Sequence, residues 1–482
     1  MTLNQVLAIL PLIIPAIAMI MLMLLIATVR NHALAVTTTL VSLLVALVMV
    51  FVSYDSQPQQ ITQLLTMDGY AYFYIALTYA ATMIVCALSY GYLSRKNTVR
   101  EEYYLFLLST ALGCAVLVSS NHFASLFIGI ELLSLSLYVL IAYVGTRHNT
   151  EAGLKYFVIT AVSIAFLLFG TALIYAASGS LKFEDVSYAM VQEGLHRQLL
   201  YLAGLAMVLV GISFKLALVP FHLWIADVFE GASAPVAGFL GTASKGAVFA
   251  VLMRYVSGMN ILGHHSIFIL FACVATASMF VGNITALLQS NIKRMLGYSS
   301  IAHFGYLLVT LMAADSLGVD AAMFYLTAYF ITVLIAFGVI GFLSKGDTDC
   351  DTIQDYQGLA LRHPVYALLL TVAMLSLAGI PLTVGFIGKF YIITAGAGIK
   401  LWGLLIILVI NSVIGLFYYL RVVISLYLVP TKRPGSQGKE QALCPSFSRV
   451  GFVSLLFLLF LLVYLGIYPG PLMSLIEQVT HR

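Results

Sequence analysis

The sequence predicts an all-α polytopic membrane protein of about fourteen transmembrane helices, two of them discontinuous. Three observations carry that expectation. The 482 residues are 62% hydrophobic and only 9% charged, against roughly 25% charged residues in soluble domains, and the mean hydropathy is +1.03. The apolar residues fall into runs long enough to cross a hydrocarbon core of ~30 Å, which takes about 20 helical residues. Two of those runs carry a mid-run proline, Pro220 and Pro381.

In chain order the runs lie near 5–28, 33–53, 69–93, 102–120, 122–146, 152–177, 198–229, 235–259, 265–289, 295–314, 319–344, 364–398, 401–429 and 449–474. The longest polar connections, about 178–197, 345–363 and 430–448, are too short for a soluble domain. Met1-Thr2-Leu3-Asn4 lacks a basic segment, so the first run reads as a retained helix and not a signal peptide. The five cysteines (86, 114, 273, 350 and 444) show no CxxC spacing and read as small apolar residues. The net charge of +4 says less than where the charges fall.

One set of connections holds thirteen basic residues: Arg30, Arg95, Lys96, Arg100, Arg147, Lys293, Arg294, Lys345, Arg362, Lys432, Arg433, Lys439 and Arg449. The opposite set holds four, Lys182, Arg197, Lys400 and Arg482. Positive loops stay in the cytoplasm, which places both termini on the outer face. An even number of crossings agrees with that.

Pro220 lies in the seventh run and Pro381 in the twelfth. Each proline removes a helical N–H; Pro220 cannot bond the carbonyl of Leu216. Interrupted helices at corresponding places point to an inverted repeat around a transport site. Because the separation of five spans is odd, the second copy is upside down. The expected division is 1–100 for spans one to three, 101–260 and 261–430 for the two five-helix units, and 431–482 for a cytoplasmic loop and the last span. The lysines do not align within the repeat: Lys215 precedes its proline by five residues, and Lys389 follows its own by eight.

Few charges lie inside the runs. Glu131 and Lys245 fall nine and ten residues into theirs, about 14–15 Å deep at ~1.5 Å per residue. Lys215 and Lys389 sit on the two broken helices. A charge at such depth costs ~2.5–3.5 kcal/mol even on the lenient insertion scale and is functional by default. Lysines whose proton affinity follows burial and a carboxylate partner form a proton relay. The competing reading is a set of static ion pairs that lock helices together. His303, ten residues beyond Lys293-Arg294, lies near mid-membrane, where an imidazole passes protons or simply satisfies neighbours. Lys155, about three residues inside its run, is an accessory member or snorkels to the headgroups. His222 reads as structural; Arg254 and Arg421 read as anchors. No phosphate loop, dinucleotide fingerprint or metal-spaced histidines occur, and the 28 Tyr and 29 Phe read as belt and core residues.

The segment Asn291-Ile292-Lys293-Arg294-Met295-Leu296-Gly297-Tyr298-Ser299-Ser300-Ile301-Ala302-His303 resembles the antiporter-like subunits of respiratory complex I. So do FKLALVPFHLWIADVFEGASAPV at 214–236 with GTASK at 241–245, Gly129-Ile130-Glu131-Leu132, and the stretch from Leu375 through Pro381 to Tyr391. Of three large sister subunits, one carries a long C-terminal lateral helix and another a glutamate where Lys389 stands. This chain has neither, which leaves the third. Ala226 and Ser233 depart from the family's prolines in the stretch after span seven. The resemblance implies a hydrophilic axis through Glu131, Lys215, Lys245 and Lys389, with Lys155 as accessory; we expect protons to pass from Lys245 by water and His303 to Lys389. It further implies proton translocation across the bacterial inner membrane, driven by NADH oxidation and quinone reduction in other subunits. NADH, FMN, iron–sulfur clusters and quinone belong to those subunits, and none to this chain. The expected partners are the antiporter-like M subunit, small membrane subunits, lipid, protons and internal water, and no nucleic acid. The alternatives are a subunit of a cation/proton antiporter or membrane-bound hydrogenase, and a structural spacer without its own proton path.

Overall fold

The helices of this chain sort by what surrounds them. In the computed structural model, which describes residues 3–54, 59–96, 100–186, 195–259, 262, 265–313, 316–344, 349–429 and 449–480, nearly every described segment is helical. In order they are α1 (Leu3–Thr28), α2 (His32–Tyr54), α3 (Gly69–Leu93), α4 (Glu102–Val118), α5 (Phe123–Ala142) and α6 (Arg147–Ser178). Next come α7 (Leu195–Leu216), α8 (Trp224–Gly231) and α9, which runs from Ala234–Phe239 through a π turn at Leu240–Ser244 into Lys245–Met259. The rest are α10 (His265–Leu287), α11 (Ile292–Met312), α12 (Ser316–Leu343), α13 (Pro364–Ala378), α14 (Val384–Gly398), α15 (Trp402–Tyr427), α16 (Arg449–Ile467) and α17 (Gly470–Thr480). Among the described residues twelve are long and apolar enough to cross a membrane, with α4, α13 and α14 as shorter apolar helices. A two-residue antiparallel pairing, Gln59–Gln60 with Thr66–Met67, is a small exception to the all-helical expectation.

α11 and the α9 span have the lowest hydropathy of the twelve, and they are 94% and 100% buried. The most hydropathic, α1, is only 33% buried. A helix against lipid must be apolar all round, whereas one wrapped by other helices can carry polar side chains. The wrapped helices are the ones that bear Lys245, Ser300 and His303.

Both expected breaks are present. α7 ends at Leu216 and α8 starts at Trp224, with Ala217 in the left-handed region (φ 56). The freed groups find substitutes: the Trp224 indole N–H donates to the Phe214 carbonyl (3.1 Å), and the Val219 N–H donates to Ser278 Oγ (3.1 Å). α13 ends at Ala378 with Gly379 as left-handed cap (φ 84), whose N–H bonds back to Leu375 and Ser376. α14 begins after Thr383, and the Gly385 N–H donates to Ser376 Oγ (3.2 Å). Such interruptions survive where protein replaces the lost hydrogen bonds.

The last span differs from expectation. Instead of one helix over 449–474, α16 stops at Ile467 and α17 restarts at Gly470. Pro469 and Pro471 flank that restart, and proline inside a helix removes a bond and clashes with the preceding turn. α17 buries Ile476 and Val479, and Thr480 Oγ1 donates to the buried Asp320 carboxylate (2.7 Å). Connections 187–194 and 430–448, with Cys444, lie outside the described residues.

α6 and α7 cross through glycines. A Cβ on Gly204 would stand 2.7 Å from the Gly170 carbonyl oxygen, and one on Gly170 would stand 2.6 Å from that of Gly204. Backbone contact of this kind is how membrane helices gain dispersion energy without a hydrophobic drive. Gly204→Ala is therefore expected to destabilise the chain by about 1–3 kcal/mol, the usual cost of overpacking. Gly204→Leu should prevent its accumulation. Thermal unfolding in detergent and the amount of protein in membranes check both outcomes.

Candidate functional site

Of the five buried lysines among the described residues, three (Lys215, Lys245 and Lys389) each lie on an element that the sequence interrupts or distorts. Lys215 occupies the last turn of α7, just before the break, and is 8% exposed. Its ammonium donates to Ser134 Oγ on α5 (2.6 Å) and Thr160 Oγ1 on α6 (3.2 Å) and sits 5.7 Å from the Tyr156 ring centre. A small cavity lined by Tyr156, Thr160, Ser163, Phe214, Lys215 and Trp224 adjoins it.

Lys245 follows the π turn of α9 and is 1% exposed. Such turns push one residue out of the normal helical register and recur at functional sites. Its ammonium donates to Ser300 Oγ on α11 (2.9 Å) and lies 4.9 Å from the Phe304 ring centre. Ser300 is three residues before His303, on the same helix face. His303 is buried, with Nδ1 2.5 Å from the Tyr325 hydroxyl and Nε2 3.0 Å from the Tyr419 hydroxyl.

Lys389 on α14 donates to the last carbonyls of α13, Leu377 (3.1 Å) and Ala378 (2.8 Å), and to Ser412 Oγ on α15 (2.9 Å). Those carbonyls are the negative end of a half-helix, so the break at Pro381 creates the acceptors that hold the charge. A cavity lined by His303, Tyr325, Tyr329, Thr332, Ser376 and Lys389 lies between histidine and lysine. Pro220 and Pro381 thus mark the turns beside Lys215 and Lys389.

Among the described residues, none of the three lysines forms an ion pair. Glu131 is half-buried on α5, between Ile128 (52% exposed) and Leu135 (51% exposed). It reaches Lys215 through space rather than by direct contact. Lys155 is not part of this interior file: it pairs with Glu151 and Asp227 (2.9 Å each) near the start of α6. His222 Nδ1 has no partner among the described residues. Arg421 behaves as expected of an anchor, donating to the Leu287 (3.0 Å) and Gln289 (2.5 Å) carbonyls at the end of α10.

Carboxylates do meet cations, but at the ends of the helices. Arg294 binds Asp227 and Glu230 of α8 (2.7 Å each), and Lys293 binds Asp349 (2.8 Å) and Asp351 (3.5 Å). At the other end Arg254 makes two 2.8 Å bonds to Asp68, the N-cap of α3. Sequence reasoning took Lys293 and Arg294 as loop charges only. The acidic pair Asp227/Glu230 in the motif after Pro220 was the available signal. Ser134, Thr160 and Ser412 gave none, since isolated hydroxyl residues are common in membrane helices.

Burial pushes the Asp349 carboxyl up, but Lys293 outweighs it and holds it below the usual range. Asp351, also raised by burial and by its neighbour Asp349 against the pull of Lys293, stands at about 6. No group of three metal-ligating side chains occurs among the described residues.

Residues 120–415 match the family described as NADH:quinone oxidoreductase/Mrp antiporter, transmembrane. Residues 10–119 match the amino terminus of NADH-ubiquinone oxidoreductase chain 4. A relative from Ectopseudomonas mendocina, named NADH-quinone oxidoreductase subunit N, is 45% identical over 99% of this chain and 97% of its own. A chain of respiratory complex I from Thermus thermophilus is 30% identical with a TM-score of 0.82, over 96% of this chain and 98% of that one. A chain of the Mrp complex from Dietzia sp. has a TM-score of 0.85 at 19% identity, over 100% and 97%, a likeness of fold alone.

The Asp68–Arg254 pair carries a pH signature. Burial pushes the Asp68 carboxyl up, yet the Arg254 charge and the hydrogen bonds from Arg254 and Ala71 outweigh it, leaving the group below its usual value. A depressed carboxyl stabilises the fold above the unfolded pKa of about 3.9 and loses that contribution as pH falls through the lower folded value. Asp68→Asn is expected to cost about 1.5–3 kcal/mol at neutral pH. Its deficit should shrink below about pH 4, as thermal unfolding at pH 7 and pH 3.5 would record.

Proposed function

This chain belongs to the NADH:quinone oxidoreductase/Mrp antiporter membrane family, with subunit N of NADH-quinone oxidoreductase as a full-length relative, and from that premise we propose how it moves protons. It is a proton-translocating membrane subunit, and the redox chemistry that drives it takes place in partner subunits. NADH, FMN, iron–sulfur clusters and quinone reside there. The chain lies in the bacterial inner membrane with both termini outside. It crosses fourteen times, counting α4 and treating α7/α8 and α13/α14 as one broken span each. Residues 101–260 and 261–430 are the two inverted five-helix units.

Within it, Lys215 exchanges protons with Lys245, which passes them through His303 and water to Lys389. Glu131 modulates Lys215 from the exposed flank of α5, and Lys155 is an accessory group at the cytoplasmic end. One observation carries this reading. Lys215, Lys245 and Lys389 are each buried and held by hydroxyls, carbonyls and rings, with no carboxylate in contact. A static lock would pair each ammonium with an acid, because breaking a buried pair costs about 3–5 kcal/mol. Neutral dipoles hold an ammonium and release its proton without stranding a buried anion.

Replacing Lys215, Lys245 or Lys389 by methionine in the assembled enzyme keeps side-chain volume and removes the titratable group. Each variant is expected to assemble and to lose about a hundredfold in proton-coupled turnover, the lower end of what a positioned acid–base group contributes. Proton uptake per electron in membrane vesicles is the measurement. Undiminished pumping would rule out that lysine as a relay member.

A further inference from the structure

We propose that Tyr325 and Tyr419 are positioning residues for His303: their hydroxyls, one on each ring nitrogen, set which nitrogen carries the proton and reverse as a proton passes. This rests on the relay reading above and adds to it two residues from α12 and α15.

A neutral imidazole has one N–H and one bare nitrogen. With a phenol oxygen 2.5 Å from Nδ1 and another 3.0 Å from Nε2, one tyrosine must donate and the other accept. The two tautomers of His303 therefore correspond to two opposite settings of the hydroxyls. Transit through the ring forms an N–H bond at one nitrogen and breaks the N–H bond at the other. The proton comes from the Lys245 ammonium and ends on the Lys389 amine. Neither phenol needs to ionise; the hydroxyl that donated turns away, and the one that accepted turns to donate.

The two tyrosines are not equivalent. The Tyr419 ring lies 4.3 Å from that of Tyr418, whose hydroxyl donates to Asn283 Oδ1 (2.9 Å). The Asn283 amide in turn donates to the Tyr306 hydroxyl (3.1 Å) and Asn411 Oδ1 (3.2 Å). Four residues thus brace the Tyr419 side. Tyr325 instead lines the cavity shared with Thr332, Ser376 and Lys389, where its hydroxyl has room and partners to turn toward. Lys245 and Lys389 are the charges whose fields reach His303, one on either side of the step. Both hydroxyls reverse, but the Tyr419 ring is braced by its neighbours, whereas the Tyr325 ring borders the cavity.

Tyr325→Phe and Tyr419→Phe remove one oxygen each and keep the rings. In the assembled enzyme, Tyr325→Phe should lower proton-coupled turnover severalfold and raise its solvent isotope effect, and Tyr419→Phe should do the same less strongly. In a His303→Ala background, Tyr325→Phe should add nothing, because its effect runs through the imidazole. If His303→Ala lowers pumping while both tyrosine variants match the parent in rate and isotope effect, the positioning role is overturned and the relay stands. Additive losses in the double variant would overturn it too, since they mark a packing role. Full pumping by His303→Ala would overturn both this inference and the place of His303 in the relay.

Discussion

An ammonium cannot be left bare inside a protein, and the buried Lys215, Lys245 and Lys389 meet that constraint without anions. Desolvating such an ion costs several kcal/mol even after relaxation, while each hydrogen bond to a charged group returns about 1.5–3 kcal/mol. Lys389 collects three acceptors, two of them carbonyls that exist only because α13 stops at Ala378. Lys215 collects two hydroxyls from two other helices. The helix breaks are therefore part of how the charges are held. A continuous helix with an ordinary N–H at position 381 would consume both carbonyls that Lys389 needs.

The same constraint sorts the remaining charges. Where Arg294 meets Asp227 and Glu230, or Arg254 meets Asp68, bond lengths of 2.7–2.8 Å mark full ion pairs at the helix ends. Those contacts join elements distant in sequence: α8 to the start of α11, and the cap of α3 to α9. They fasten the frame. The interior lysines are held by neutral groups instead. Among the described residues, ion pairs gather at the helix ends and neutral acceptors surround Lys215, Lys245 and Lys389.

Much of this architecture was legible in the sequence. Hydropathy located the long helices, because lipid demands an unbroken apolar surface and permits few exceptions. Pro220 and Pro381 located the breaks, because a missing N–H acts locally whatever the tertiary context. Helical rise along their runs pointed to interior positions for Lys245 and His303, and both are buried. What stayed hidden depends on rotation about helix axes and on which helices become neighbours. Nothing in the sequence separates Tyr325 and Tyr419 from the other tyrosines, or shows that Asp227 of α8 joins Glu151 of α6 in pairing with Lys155. The restart at Gly470 was missed because the hydropathic run continues past Pro469 even though the helix does not.

Glu131 brings these points together. It lies at the depth of the lysines, yet it contacts none of them, and its neighbours one turn away on α5 are among the exposed apolar residues. A carboxylate facing lipid at that depth would be expensive. Glu131 is itself only partly exposed, and it reaches Lys215 through space. The Ser134 hydroxyl that binds Lys215 stands three residues further along the same helix, so the acid and the ammonium's acceptor move as one body.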